Sequence, residues 1–243
     1  MYNLGLYLKT ELEKYNGFTA VLTRKSVDEN PSLTNRGNLA ISNKSDVFIS
    51  LHTDAFNNSS AKGVTVFRSI KRPKSENLGQ NLGKSITNFM NTYTGVTTFR
   101  GVKTQQYSST SNNDYHGVIR SSVKGVNVQY SFLIEHGFHT NKHECSFLND
   151  NTNLMKLASV IAKVFADYFK VSLKESQSTY DVVKTIPGYS TASDALKGIN
   201  KKTTVQKGKY YIYRTYKNGC INITSDKTCK VPGAWVNPKD NKI

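Results

Sequence analysis

The chain has 243 residues, 37% of them hydrophobic and 11% aromatic, with 33 Lys and Arg against 17 Asp and Glu for a formal net charge of +16. That length admits one substantial core plus a small second module, and no apolar run approaches the roughly 20 residues of a membrane span, so membrane insertion is not expected. The basic excess favours polyanionic partners, with plain solubility as the ordinary alternative. No zinc finger, aromatic RNP run or Arg-rich helix is present, so nucleic acid is not the expected anion. Three cysteines (Cys145, Cys220 and Cys229) make no disulfide framework, and no Cys-x-x-Cys occurs. Cys220 and Cys229 could meet across a hairpin, but free thiols are the expectation.

In chain order, Leu4, Leu6, Leu8 and Leu12 predict a helix over about residues 2 to 15, ended near Asn16-Gly17. Phe18 to Thr23 is rich in β-formers and predicts a strand. Ser32 is a suitable cap for a helix over about 33 to 43. The apolar run Val47, Phe48, Ile49 and Leu51 predicts a buried strand that emerges at His52. Gly63 to Arg68 reads as the next strand. Leu78, Leu82, Ile86, Phe89 and Met90 set out an amphipathic helix over about 75 to 92, whose apolar face is core packing. Residues 93 to 116 read as a long polar loop, Gly117 to Arg120 as a short strand or turn, and Val126 to Glu135 as a central strand. Leu154 to Phe169 is a closing amphipathic helix. This alternation predicts an α/β domain over 1–171 with a mostly parallel sheet flanked by helices on both faces.

After a polar linker over 172–180, residues 181–243 change character. Thr191 to Lys197 hints at a helix. The β-rich runs Thr203 to Tyr216 and Cys220 to Thr224, on either side of Asn218-Gly219, predict a hairpin. The expected module is a small all-β unit, a barrel of the bacterial SH3-like kind. Strand alternation turns about half of its aromatics into the core and leaves the rest as faces for stacking.

His52 stands where a strand stops, and α/β folds collect ligands at the carboxyl ends of their strands. Alone it is compatible with a buried, hydrogen-bonded histidine or with a metal ligand. A second strand, Phe132 to Glu135, ends in a carboxylate followed by His136-Gly-Phe-His139-Thr-Asn141. Two strands that bring a His and a Glu to one edge are compatible with a zinc-hydrolase site.

Ile49-Ser-Leu-His52-Thr-Asp-Ala55 and Leu133-Ile-Glu135-His-Gly-Phe138-His-Thr-Asn141 resemble the zinc-dependent N-acetylmuramoyl-L-alanine amidases of the amidase-3 type, above all phage endolysins and autolysins of Gram-positive bacteria. Leu22-Thr-Arg24 and Leu33-Thr-Asn-Arg36-Gly-Asn-Leu-Ala40 resemble the same family, and the likeness runs in order over about residues 1 to 170. The resemblance implies a Zn2+ cofactor, with His52 as the metal ligand at a strand end and Glu135 as the general acid/base. The family's other two ligands, a His and a helix-opening Glu, would precede Tyr2. The chain therefore reads as an amidase domain lacking its first strand and helix start.

Arg120, His139 and Asn141 are placed along the substrate cleft, Arg120 either as a planar fork for a carboxylate or in a surface ion pair. His136, His139 and His143 have a metal-like spacing that strand-to-loop geometry should scatter. The tail resembles wall-binding modules, with Trp235 as a sugar- or peptide-stacking residue. The expected partners are peptidoglycan and wall polymers of Gram-positive bacteria. Met1 to Lys9 lacks a basic n-region and a cleavage site. The protein is thus expected to be made in the cytoplasm without a signal peptide and to reach the wall after holin-type release or lysis. A second reading is a catalytically inactive wall-binding protein.

Overall fold

The computed structural model describes residues 1–174, 178–227, 229 and 231–242. The chain forms two compact units, Met1–Lys174 and Glu175–Ile243. Of the linker expected over 172–180, residues 175–177 lie outside the described residues.

The first unit opens with α1 (Tyr2–Leu12), which buries Leu4 and Leu8. It is shorter than the expected helix, because the chain turns off through Glu13 and reaches a left-handed Gly17. α2 (Leu33–Ser42) starts at Ser32, whose hydroxyl accepts from the Asn35 N–H at 3.1 Å, as the cap chemistry requires. There follow β1 (Val47–Asp54), β2 (Val64–Arg68), α3 (Ser75–Thr94), β3 (Phe99–Lys103), α4 (Gly117–Ser122), β4 (Tyr130–Phe138), α5 (Lys142–Leu148) and α6 (Asn151–Phe169).

The strands form one sheet in the order β1-β4-β2-β3. β1 pairs parallel with β4 and β3 parallel with β2, but β2 runs antiparallel to β4. The sheet is therefore mixed, which corrects the expected mostly parallel one. A parallel return needs a crossover of a dozen or more residues, usually a helix, and residues 55–63 between β1 and β2 supply neither. Helices cover both faces. Phe132 and Ile134 of β4 face the core built by α1, α3, α5 and α6, and Leu133 faces the smaller core with Val118 and Ile119 of α4 and Ala40 of α2. β4 is thus buried on both sides.

Three other expectations need correcting. Residues 18–23 form no strand. Their in-out burial alternates as in a strand, but among the described residues their backbone makes no backbone–backbone hydrogen bond, so no ladder exists. Within the predicted loop 93–116, β3 adds to the sheet edge; a left-handed Gly101 breaks its alternation and hides it from the pattern. Gly117–Ser122 is a helix, not a strand or turn, and buries Val118, Ile119, Ser121 and Ser122.

The second unit comprises β5 (Thr179–Val182), β6 (Ile186–Gly188), α7 (Ala192–Lys197), β7 (Thr203–Val205), β8 (Gly208–Thr215), β9 (Ile221–Thr224) and β10 (Ala234–Val236). Its four-stranded sheet runs β10-β9-β8-β5, beside a β6-β7 pair. β8 and β9 pair antiparallel across Asn218 and a left-handed Gly219, the hairpin read from the sequence. The unit is not all-β, since α7 is capped by the Thr191 hydroxyl and buries Ala192 and Ala195. Tyr210 and Ile212 pack on its core, while the intervening Tyr213 is exposed. Cys145, Cys220 and Cys229 are free thiols.

One internal strut fixes the end of β4. Glu144, fully buried on α5, accepts from the Phe138 N–H at 2.7 Å and the Gly63 N–H at 2.9 Å. Its carboxylate lies 2.9 Å from where a Cβ on Gly137 would be, and Gly137 has φ +106, so a glycine is required there. Glu144→Ala strands two buried N–H groups. It is expected to lower stability by about 3 kcal/mol, read as a fall in the denaturant midpoint of the full chain. A loss under about 0.5 kcal/mol would contradict the strut.

Candidate active site

β1 and β4 bring His52 and Glu135 together directly. They are register partners on neighbouring parallel strands, and Glu135 is also the partner of Thr65 on β2. Register partners share a face, so His52, Glu135 and Thr65 form a row across three strands at the carboxyl end of β1 and β4. By the two-residue period this is the face of Phe48, Leu133 and Phe67, which looks towards α2 and α4. His116, the residue before α4, packs its ring on Phe67 at 4.5 Å and so closes one side of the row.

The row is electrostatically uneven. Glu135 Oε2 is buried with no hydrogen-bond partner among the described residues. Burial, and then the Asp54 carboxylate, push its carboxyl from 4.5 up to about 7. His52 has its Nε2 3.0 Å from Ser50 Oγ. Part of its ring meets solvent, yet the surrounding protein, Arg36 and the Met1 amine hold it below the ordinary histidine range, so it is neutral at pH 7. His116 is also depressed, by burial and by His52, and its buried Nε2 has no partner among the described residues. A carboxyl that titrates near neutrality beside neutral imidazoles can take and return a proton in one turnover.

The other expected residues are placed differently. His139 directly follows β4, with its N–H donating to Asp54 O at 2.9 Å and its Nδ1 3.2 Å from Thr53 Oγ1, a neighbour of His52 on β1 that alternates to the other face. Asn141 is buried and caps α5, accepting from the His143 and Glu144 N–H groups, while its amide donates to Ser59 O at 3.0 Å. Arg120 donates to Asp114 O at 2.6 Å and Tyr115 O at 2.9 Å and lies over the Tyr107 ring, so its fork is turned on the chain's own backbone. Asp114 is buried and accepts from Ser69 Oγ and the Ile70 N–H. Trp235, in the second unit, is half-buried and meets Tyr216 edge-on at 6.1 Å. His136 is fully buried against His52 O at 3.0 Å and is pushed down to about 4, while His143 lies on α5. The three closely spaced histidines thus have separate surroundings.

Sequence reasoning missed Glu144, Thr65 and the depressing effect of the Met1 amine. Glu144 had a signal, because Asn141 followed three residues later by Glu is a capping-box spacing. Thr65 and the amine had none, since both act through pairing and folding.

A model of the Amidase_3 family, N-acetylmuramoyl-L-alanine amidase, matches residues 1–166. The chain belongs to this family. The amidase domain also resembles solved structures. Cwp6 from Clostridium difficile is 25% identical with a TM-score of 0.55, over 68% of this chain and 24% of that one. The chain thus spans about a quarter of Cwp6. The catalytic domain of CwlV, an N-acetylmuramoyl-L-alanine amidase from Bacillus (Paenibacillus) polymyxa var. colistinus, shares the fold at 24% identity and TM-score 0.56, over 70% of this chain and 82% of that one. The CwlD amidase from Clostridioides difficile, solved in complex with the GerS lipoprotein, is 25% identical with TM-score 0.51, over 69% and 83%. Among curated proteins none matches the chain.

The donor set of the amidase domain can be tested against the metal that the resemblance implies. Catalytic zinc takes three protein ligands and leaves a position for water. Among the described residues no group of three or more His, Cys, Asp or Glu could hold a metal ion. His52 is a fitting single donor, but the residues present do not fit a complete zinc site.

The raised carboxyl has a thermodynamic consequence. Glu135 binds its proton more tightly folded than unfolded, so its contribution is present below about pH 4.5 and is lost as pH rises through about 7. Glu135→Gln is expected to be more stable than the parent at pH 8 by about 2 kcal/mol, less than full conversion of the shift because the group is partly open to water. The difference should vanish at pH 4. Thermal melts across that range give the check, and a constant offset would contradict it.

Proposed function

We propose that the amidase domain hydrolyses the amide between N-acetylmuramic acid and the L-alanine of the peptidoglycan stem, with Glu135 as the proton carrier. The observation behind this reading is the registered His52–Glu135 pair with its carboxyl at about 7, in a chain that belongs to the amidase family. In this reading ionised Glu135 accepts a proton from the attacking water and then delivers it to the departing alanine nitrogen. His52, neutral and held on the strand next to Glu135, orients the reacting groups by hydrogen bonding, and the half-buried wall of Phe67 and His116 limits competing water. Zn2+ is the cofactor the resemblance implies, and His52 is the residue that would meet it. The described donors are short of a full set, so zinc is expected to be held weakly and no step is assigned to it.

The second unit is proposed to hold the wall, as a small SH3-like module. The edge-on Trp235–Tyr216 pair and the exposed Tyr213 support this, since such faces stack on sugars or peptides. The net charge of +16 suits the anionic polymers of a Gram-positive wall. An endolysin role follows in this reading, with access to the wall after holin-type release or lysis. The incomplete donor set favours one alternative, a protein that binds walls without cutting them.

Purified full chain on Gram-positive wall fragments tests the two together, reading new alanine N-termini alongside pelleting. Hydrolysis is expected, rising with pH through about 7 as Glu135 ionises, and cut by 100-fold or more in Glu135→Gln with pelleting intact. Metal content measured on the same sample, with and without chelator, reports whether zinc is retained. Pelleting with no new N-termini at any pH, with zinc supplied, would favour the binding-only alternative.

A further inference from the structure

Between β3 and α4, residues 105–116 double back on themselves. The Tyr115 N–H donates to Gln105 O at 2.8 Å and the Tyr107 N–H to Asn113 O at 2.9 Å, on either side of an antiparallel bridge between Gln106 and Asp114. In such a pair, residues two apart share a face and the one between points the other way. Gln106 and Asp114 therefore face one way and Tyr107 and Tyr115 the other, the tyrosines as diagonal neighbours about 7–8 Å apart. The inner face is pinned. Asp114 is buried and accepts from Ser69 Oγ at 2.7 Å and the Ile70 N–H at 2.8 Å, just beyond β2.

The outer face is open and aromatic. Tyr107 is 64% exposed and Tyr115 51%. One guanidinium braces both sides of the hairpin: Arg120 lies over the Tyr107 ring at 5.1 Å and donates to Asp114 O and Tyr115 O. Tyr115 meets His116 edge-on at 5.4 Å, and His116 packs on Phe67 beside the row. The exposed rings thus adjoin the wall of the candidate active site. In a chain of net charge +16, residues 105–116 hold no Lys or Arg, and Asp114 is their one carboxylate. Between the tyrosines stand Ser108, Ser109, Thr110, Ser111, Asn112 and Asn113, all uncharged hydrogen-bonding groups. A surface for a polyanion would be basic. Amphipathic rings beside hydroxyls and amides suit a neutral polyol, which offers an apolar C–H face and a rim of hydroxyls.

We propose that the outer face of this hairpin is a carbohydrate subsite, which holds N-acetylhexosamine residues of a glycan strand beside the row, with Tyr107 and Tyr115 each packed against a sugar. The proposal rests on the amidase reading for its choice of polymer, because the amide cut in that reading joins a sugar-bearing group to a peptide. Tyrosine gives a large contact at small entropic cost, and the Asp114 and Arg120 anchors have already ordered the loop before any ligand arrives. The hairpin then sets how the glycan lies while the stem reaches His52 and Glu135.

The probe is a soluble β-1,4-linked oligomer of N-acetylglucosamine, uncharged and free of stem peptide, titrated calorimetrically into the full chain. Saturable binding is expected. It should weaken about tenfold or more when Tyr107→Ala and Tyr115→Ala are combined, the loss of two aromatic contacts of about 1 kcal/mol each. The paired Tyr107→Phe and Tyr115→Phe variant, which keeps both rings, should retain most of the affinity, and both variants should melt like the parent because the rings are exposed. The oligomer has no amide to the stem, so its binding is read without cleavage. Binding that depends on the two rings supports the subsite even in a chain that releases no alanine N-termini. Absence of saturable binding in a chain that does release them overturns the subsite and leaves the amidase reading standing. Affinity indifferent to the loss of both rings, or lost in Trp235→Ala alone, overturns it too, since the sugar would then belong to the second unit.

Discussion

Burial of β4 on both faces and along both edges is the constraint that the amidase domain depends on. Phe132, Leu133 and Ile134 are buried in a row, flanked by β1 and β2 and covered by helices above and below. A strand so enclosed must be apolar until it ends, and whatever polar residue comes next inherits an environment it would not choose. Glu135 is that residue. Its raised carboxyl is a consequence of the core that holds β4, with Asp54 as the lesser cause. Fold stability and proton chemistry are therefore in opposition at this one position, as is common where sites are built on rigid elements.

A second glutamate shows what the first lacks. Glu144 is buried more completely than Glu135, yet it receives two backbone N–H groups and bridges β4, α5 and the approach to β2. Two acids within ten residues thus differ in role because one is met by donors and the other has an oxygen that meets none among the described residues. Burial alone makes a carboxyl costly; burial without donors makes it titratable near neutrality. The left-handed Gly137 between them lets the chain turn so that both carboxyls reach their places.

Much of this was legible in the sequence, and the limits have physical causes. The helices α2, α3 and α6 announce themselves because each presents a periodic apolar face and, in α2, a serine cap. His52 and Glu135 stand out because each ends an apolar run. What the sequence could not carry is pairing. Phe18–Thr23 has a strand's pattern but no neighbour, while β3 has neighbours but a pattern broken by Gly101. The direction of β2 depends on the shortness of residues 55–63, a property of the connection and not of the strand. Asn141 and Arg120 were legible as polar residues near the site. That Asn141 is turned into a helix cap and Arg120 onto nearby carbonyls depends on the fold of residues distant from either.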